Sequence, residues 1–334
     1  MLRRFETYGF APDATPELRD ELARVLRRAG VYIPEVLDSA VGRNRSAAGV
    51  DLVWEHAYEH PASYAHYMCH PFHICVLDRY LLPENPECIT ASRRELGLGL
   101  LGYEVDGAPF RVDGGVRRIV AMRTAADAEP DAVAALLAEL NARVGAAPEV
   151  LASVAAENTM GLEWFPDGWT HVWEQAFADE AAMHRVAEHD AVLLGAGPMG
   201  EWVDVWYEID AEPAGADPDV HLSPPPPGPV FMVDAVDVAP SDADRYVDAF
   251  ERLYLPGARR RGMELVACWH SPRTIGEDVT VFVVFDVGTW AQWEQARNAA
   301  VVDPAMPEWL TARRELMRRG TRRFLNAASF SPPR

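Results

Sequence analysis

The sequence predicts an α+β chain of three tandem ferredoxin-like units, each running strand, helix, strand, strand, helix, strand. Three observations predict it. First, the chain repeats itself. Pro34-Glu35-Val36-Leu37 returns as Pro148-Glu149-Val150-Leu151, and Val53-Trp54-Glu55-His56-Ala57-Tyr58 returns as Val172-Trp173-Glu174-Gln175-Ala176-Phe177. The offsets are 114 and 119 residues, so one loop is longer in the second copy. Such a period is too long for a solenoid unit and right for a small domain. Second, spacings of two and of three-to-four residues alternate in the same order within each copy. Third, polar stretches rich in Pro and Gly separate the copies. The second of them carries Pro224-Pro225-Pro226-Pro227, which reads as a semi-rigid extended spacer.

The elements follow in order. Copy one spans 1–105 and opens with the loosely alternating strand Arg3–Phe10. Pro16–Arg28 sets Leu18, Leu22, Val25 and Leu26 at helical spacing. Val36–Gly42 and Asp51–Tyr58 read as strands. Pro61 suits the first turn of a helix, where its missing N–H is unneeded, and that helix ends or bends at Pro71. Copy two spans 116–209 with a helix over Asp131–Val144. Copy three spans 230–334, its first helix over Ser241–Arg261 and Phe282–Trp290 in the place of Trp54–Tyr64. A βαββαβ unit covers one face of its antiparallel sheet with helices. The other face needs burial, usually against a second sheet. Copies one and two can cover each other, whereas copy three has no partner left, which predicts a homodimer.

Composition narrows the function. The net charge of −20 argues against nucleic acid and anionic membrane surfaces. No apolar run approaches the roughly 18 residues that span a bilayer. The start Met1-Leu2-Arg3-Arg4-Phe5 lacks the apolar core of a signal peptide, so a cytoplasmic protein is expected. Cys69, Cys75, Cys88 and Cys268 form no CxxC pair and read as free thiols. All 31 basic residues are arginine. Without lysine there is no Schiff base, hence no pyridoxal-phosphate or lysine-type aldolase chemistry, and no P-loop.

The stretch Ile33-Pro34-Glu35-Val36, then Val41-Gly42-Arg43-Asn44, then Tyr67-Met68-Cys69-His70-Pro71-Phe72-His73 resembles the stress-responsive dimeric α/β-barrel (Dabb) family. The resemblance covers roughly residues 1–104. Copy two is similar more weakly, and copy three resembles the related NIPSNAP-type barrels. The family includes plant polyketide cyclases of the olivetolic acid cyclase kind. By that resemblance Tyr67 and His73 take the places of a Tyr and a His that catalyse an intramolecular aldol condensation. The cyclase's first-strand histidine is replaced here by Arg4 or Phe5.

The residues support acid–base chemistry on their own terms. A histidine exchanges a proton near neutral pH, and a tyrosine can donate to a developing enolate oxygen. Copy two has Val186 and Val192 where copy one has Tyr67 and His73, so the fold does not require either polar group. His56, on the same strand face as Trp54, has Gln175 as its counterpart in copy two and is the third catalytic candidate. Trp54, Tyr64, His66 and Phe72 are the candidate substrate-binding residues. His66, His70 and His73 stand at i, i+4 and i+7, which makes metal or heme ligation thinkable. The recurrence of His70 as His189 favours a structural role for it, and neither a metal nor a cofactor is expected. His56-Ala57-Tyr58-Glu59-His60 spells a zinc-protease motif, yet it begins on a strand rather than a helix. Gly195-Ala196-Gly197-Pro198-Met199-Gly200 spells GxGxxG but lies in a helix-to-strand loop, the reverse of a dinucleotide site.

The expected function is a cofactor-independent enzyme of secondary metabolism. It acts on an aromatic or poly-β-keto substrate by His/Tyr acid–base catalysis, in cyclisation, aldol or related enolate (lyase-type) chemistry. Two alternatives stay open. One is a cofactorless or heme-dependent monooxygenase of the same barrel superfamily. The other is a non-catalytic small-molecule-binding stress protein.

Overall fold

The computed structural model describes residues 1–83, 85–91, 100–106, 114–160, 168–209 and 228–327. The run Pro224–Pro227, most of both expected linkers, and Trp164 lie outside the described residues. The chain is mixed α+β, with antiparallel sheets of eight and four strands. It divides into two compact units that do not follow the repeat boundaries. The first comprises Met1–Ala65 and Ala91–Asp217; the second comprises His66–Thr90 and Pro218–Arg334. No helix among the described residues is long and apolar enough to cross a membrane.

The first unit holds strands β1 (Leu2–Tyr8), β2 (Asp38–Asn44), β3 (Leu52–Tyr58), β4 (Leu100–Glu104), β5 (Val116–Thr124), β6 (Val150–Glu157), β7 (His171–Phe177) and β8 (Met199–Ile209). They form one sheet in the order β4-β1-β3-β2-β8-β5-β7-β6. Two seams join the repeats. At one, β2 pairs with β8, Gly42 opposite Ile209. At the other, the sheet's end strands meet: the Thr159 N–H donates to Gly102 O at 2.9 Å, and Asn158 Oδ1 accepts from the Gly102 N–H at 2.9 Å. Both seams are tight at a glycine. A Cβ on Gly42 would lie 2.2 Å from Tyr207 Cδ2, and one on Gly102 would lie 2.6 Å from Met160 Cγ.

Period-two alternation divides the strands between two faces. Phe5, Val53, Leu101, Tyr103, Ile119, Val172, Val205 and Tyr207 fill the inside of the closed sheet. The outer face packs under helices α1 (Pro16–Arg27), α2 (Ala29–Tyr32), the first turn of α3 (Pro61–Met68), and, in the second repeat, helices described next. Thr15 caps α1 by accepting the Leu18 N–H, Pro16 fills its first position, and Leu22, Ala23, Val25 and Leu26 are its buried stripe. The second repeat's cover is α5 (Pro130–Asn141), α6 (Arg143–Ala146) and α7 (Glu180–Ala196), with α4 (Asp78–Leu81) preceding them in the chain.

The second unit holds β9 (Val230–Val238), β10 (Glu264–His270), β11 (Val279–Gly288) and β12 (Met317–Asn326) in the order β10-β11-β9-β12. Helices α8 (Ala243–Ala249), α9 (Leu255–Arg260), α10 (Trp290–Val301) and α11 (Met306–Leu316) lie on one face, with a π-helical turn Phe250–Tyr254 between the first two. The expected single helix Ser241–Arg261 is thus three segments. A capping box of Thr289 and Gln292 starts α10. Met232, Val236, Val281, Val283 and Phe285 meet Tyr246, Phe250, Trp293 and Trp309 in the core. Among the described residues the opposite sheet face is left partly exposed, Trp269 by 62% and Phe282 by 40%.

The segment His66–Thr90 belongs to this second unit although it comes from the first repeat. Ile74 joins the core of β9–β12. Arg313 donates to the carbonyls of Pro83 and Asn85, and Arg323 pairs with Glu87 at 3.0 Å.

Candidate functional site

The candidate residues fall into two groups, one in each unit. In the first unit, His56 on β3 is fully buried. Its Nδ1 lies 2.7 Å from the Tyr58 hydroxyl, and its Nε2 lies 3.7 Å from Glu6 Oε1. Glu6 is held by Arg4 at 2.8 Å and by the Tyr8 hydroxyl. The Trp54 ring stacks flat on the imidazole, centroids 3.9 Å apart. Tyr64 packs edge-on against Tyr58, and the Arg4 guanidinium lies 4.4 Å over the Tyr64 ring. Strand alternation explains the gathering: Arg4, Glu6 and Tyr8 share one face of β1, and Trp54, His56 and Tyr58 share the same face of β3.

The second repeat shows which of these groups folding requires. Trp54 donates from its indole N–H to Ser39 Oγ at 2.8 Å, and Ser39 donates to Leu26 O. Trp173, Ser153 and Leu140 repeat this with the same 2.8 Å indole bond. Trp54 is therefore part of a recurring packing device. By contrast Glu6, Tyr8, His56 and Tyr58 correspond to Val120, Met122, Gln175 and Phe177. The same face of the second repeat carries an ion cluster instead: Arg118 bonds Gln175 at 3.0 Å, Asp190 at 2.8 Å and Asp204, while Arg143 also holds Asp190 at 2.8 Å. Reading the sequence singled out His56 and passed over Glu6, Tyr8 and Tyr58. The same repeat comparison that marked His56 was the signal that could have found them.

In the second unit, Tyr67 is fully buried and its ring lies 4.3 Å from that of His73, which is also buried. α3 ends at Met68, and His73 opens a single π-helical turn, His73–Leu77, of a kind frequent at functional sites. His73 Nδ1 lies 3.1 Å from Met68 O. A carbonyl only accepts, so Nδ1 carries the hydrogen. Nε2 faces Asp78 Oδ1 at 3.6 Å, and Asp78 forms a buried ion pair with Arg297 of α10. Phe72 is buried, Tyr64 is half-buried, and His66 is exposed. Val192, the counterpart of His73, is 70% exposed on α7. The alignment of repeats does not show this exposure.

The remaining histidines have local partners. His70 Nδ1 accepts the Phe72 N–H at 3.1 Å, and His60 Nδ1 accepts the Ser63 N–H at the start of α3. The helix break after Met68 separates His66 from His70 and His73. Among the described residues, no three His, Cys, Asp or Glu side chains gather as a metal site.

A second buried cluster went unseen in the sequence and has exact repeat symmetry. Arg3 and Arg117, Glu55 and Glu174, and Tyr103 and Tyr207 occupy matching positions inside the closed sheet. Arg3 bonds Glu174 at 2.8 Å and Glu55 at 2.9 Å. The Tyr103 hydroxyl donates to Glu174 at 2.6 Å and that of Tyr207 to Glu55 at 3.0 Å, so each tyrosine serves the other repeat's carboxylate. Burial opposes the Arg3 charge, but the two carboxylates outweigh it and hold the guanidinium protonated. Burial first, then the nearby carboxylates, push both phenols well above the ordinary tyrosine range.

Residues 236–332 match the NIPSNAP family model. No curated protein matches the chain. An uncharacterized NIPSNAP-like domain protein from Burkholderia xenovorans is 19% identical over 31% of this chain and 90% of its own, with a TM-score of 0.27. An anthrone oxidase-like protein is 13% identical over 64% of this chain and 94% of its own, with a TM-score of 0.44. A mutant chlorite dismutase from Candidatus Nitrospira defluvii is 13% identical over 63% and 91%, with a TM-score of 0.40. What these names say of activity belongs to those proteins.

Proposed function

We propose that the chain is a cofactor-independent acid–base enzyme acting on an aromatic or poly-β-keto substrate, by cyclisation or related enolate chemistry. The observation that carries the reading is the exchange between repeats. The first repeat buries Glu6, His56 and Tyr58 where the second has Val120, Gln175 and Phe177. Burying unneeded polar groups costs stability, and residues kept against that cost mark function. The choice of substrate class rests on the resemblance of the Tyr67–His73 segment to polyketide cyclases.

In this reading His73 is the general base. A proton taken at Nε2 sits near the Asp78 carboxylate while Nδ1–H stays on Met68 O. Tyr67 orients or protonates the substrate oxygen. His56, backed by Tyr58 and Glu6, is the acid–base group of the first unit. Within the second unit exposed His66 and buried Phe72 are the proposed substrate-binding side chains beside Tyr67 and His73, and within the first unit half-buried Tyr64 is the one beside His56. The fold reading is three βαββαβ units, at 1–105, 116–209 and 230–334. The open face carrying Trp269 and Phe282 pairs with a second copy of the chain, as the equivalent faces of the first two repeats are buried inside one closed sheet.

The test is incubation of the purified chain with synthetic poly-β-keto thioesters, with product chromatography and an oxygen electrode. Cyclised product without oxygen uptake is expected. Oxygen consumption with an oxidised product would replace this reading by the oxygenase one, and inertness toward every substrate would favour a binding protein. Light scattering is expected to give a dimer; a 37 kDa monomer at micromolar concentration would overturn the pairing.

A further inference from the structure

The ion pair between Asp78 and Arg297 joins residues far apart in the chain, the first from repeat one and the second from the segment that matches the NIPSNAP family model. Both side chains are 5% exposed. Arg297 also reaches Met68 Sδ at 3.8 Å, so it touches residues on both sides of the turn that carries His73. Asp78 Oδ1 faces His73 Nε2, and Oδ2 is taken by Arg297.

We infer that Asp78, clamped by Arg297 of the third repeat, is the positioning residue that sets the ring orientation and proton occupancy of His73. The inference rests on the reading of His73 as the reacting base. With Nδ1–H donated to Met68 O, the ring cannot turn without losing that bond. Nε2 is therefore the nitrogen that exchanges the proton, and the carboxylate beside it favours the loaded state. Arg297 opposes this by drawing on the same carboxylate. The third repeat thereby sets how strongly the first repeat's histidine holds its proton. Among the described residues, the titratable groups near the clamp include Tyr67, Cys69 and Cys75 on the same segment, with Glu294 and Arg297 on α10. Burial first, then Glu294, raises the Cys69 thiol, and burial with Asp78 pushes Cys75 up to about 12, so both stay neutral thiols near pH 7.

The experiment uses the full chain labelled with ¹⁵N-histidine, the His73 signal being assigned by its loss in His73→Asn. Ring protonation is read near pH 6.5, beside turnover of the poly-β-keto thioester. Removing one member of a buried pair can unfold a protein, so the central variant is the neutral double replacement Asp78→Asn with Arg297→Gln. The expected order of His73 protonation is Arg297→Gln above wild type above the double variant, with kcat in the double variant down at least about tenfold and KM little changed. Equal ring protonation in wild type and the double variant would overturn the clamp, whatever the turnover. The expected protonation order with unchanged turnover would support the clamp and remove His73 from the proposed reaction.

Discussion

Giving the first repeat the chemistry of the second tests why His56 and Tyr58 are polar. Tyr58→Phe copies Phe177 and removes the hydroxyl 2.7 Å from His56 Nδ1. The imidazole is fully buried, so losing that partner is expected to cost about 1–3 kcal/mol. His56→Gln alone takes away the ring stacked 3.9 Å from Trp54 and strands the Tyr58 hydroxyl, at a similar cost. The double variant restores the Gln175–Phe177 combination that the second repeat already packs beside Trp173. It is expected to lie within about 1 kcal/mol of wild type, well below the sum of the single costs, a coupling of at least about 1 kcal/mol between the two sites. Urea unfolding followed by tryptophan fluorescence gives the stabilities, and thioester turnover gives the function. The double variant is expected to fold normally and lose about a hundredfold in turnover. Additive single costs would refute the hydrogen-bond account, and full turnover in the double variant would refute a reacting role for His56.

Three further outcomes follow from the same geometry. His73→Ala is expected to lower turnover by at least about a hundredfold with the fold intact by circular dichroism, and Tyr67→Phe to cost less; near-normal turnover in His73→Ala would move the base to His56 or His66. Replacing Glu174 by Gln strips Arg3 of its best partner inside the closed sheet and is expected to cost about 3–5 kcal/mol in thermal or urea unfolding, far beyond the few tenths expected at exposed Val192→Ala. Tyr103 and Tyr207 ionise well above pH 10 when folded and near pH 10 when unfolded, so the unfolded chain loses those protons first. Stability is therefore unaffected below about pH 10 and falls above it by about 1.4 kcal/mol per pH unit for each phenol, a slope that the Tyr103→Phe and Tyr207→Phe double variant should flatten.

The mixed α+β class and many of the strand residues in the first two copies were legible because period-two patterns and a near-identical Trp-Glu stretch mark them directly. The faces of those strands were legible too, and with them the placement of His56 beside Trp54. What escaped was anything set by a partner distant in sequence. Asp78 reads as an ordinary turn carboxylate, and no local signal ties it to Arg297. Glu6 reads as a surface residue on a loosely alternating strand, though Arg4 and Tyr8 keep it buried. Val192 failed for a different reason. The repeat alignment pairs it with His73 but carries no information on helix rotation, and α7 turns that position to solvent.

The reciprocal bonds of Tyr103 to Glu174 and of Tyr207 to Glu55 make the first two repeats mutually dependent halves of one body. Two identical subunits meeting in this way must carry every residue twice, so a polar group that one face needs is imposed on the other. Covalent linkage lifts that obligation. In this chain one half keeps a buried His56 and Glu6, while the other fills the same space with Gln175 and Val120. The second half can then carry packing of its own, its Arg118–Asp190 cluster standing where the first half has none of these partners, so the two halves are free to diverge residue by residue.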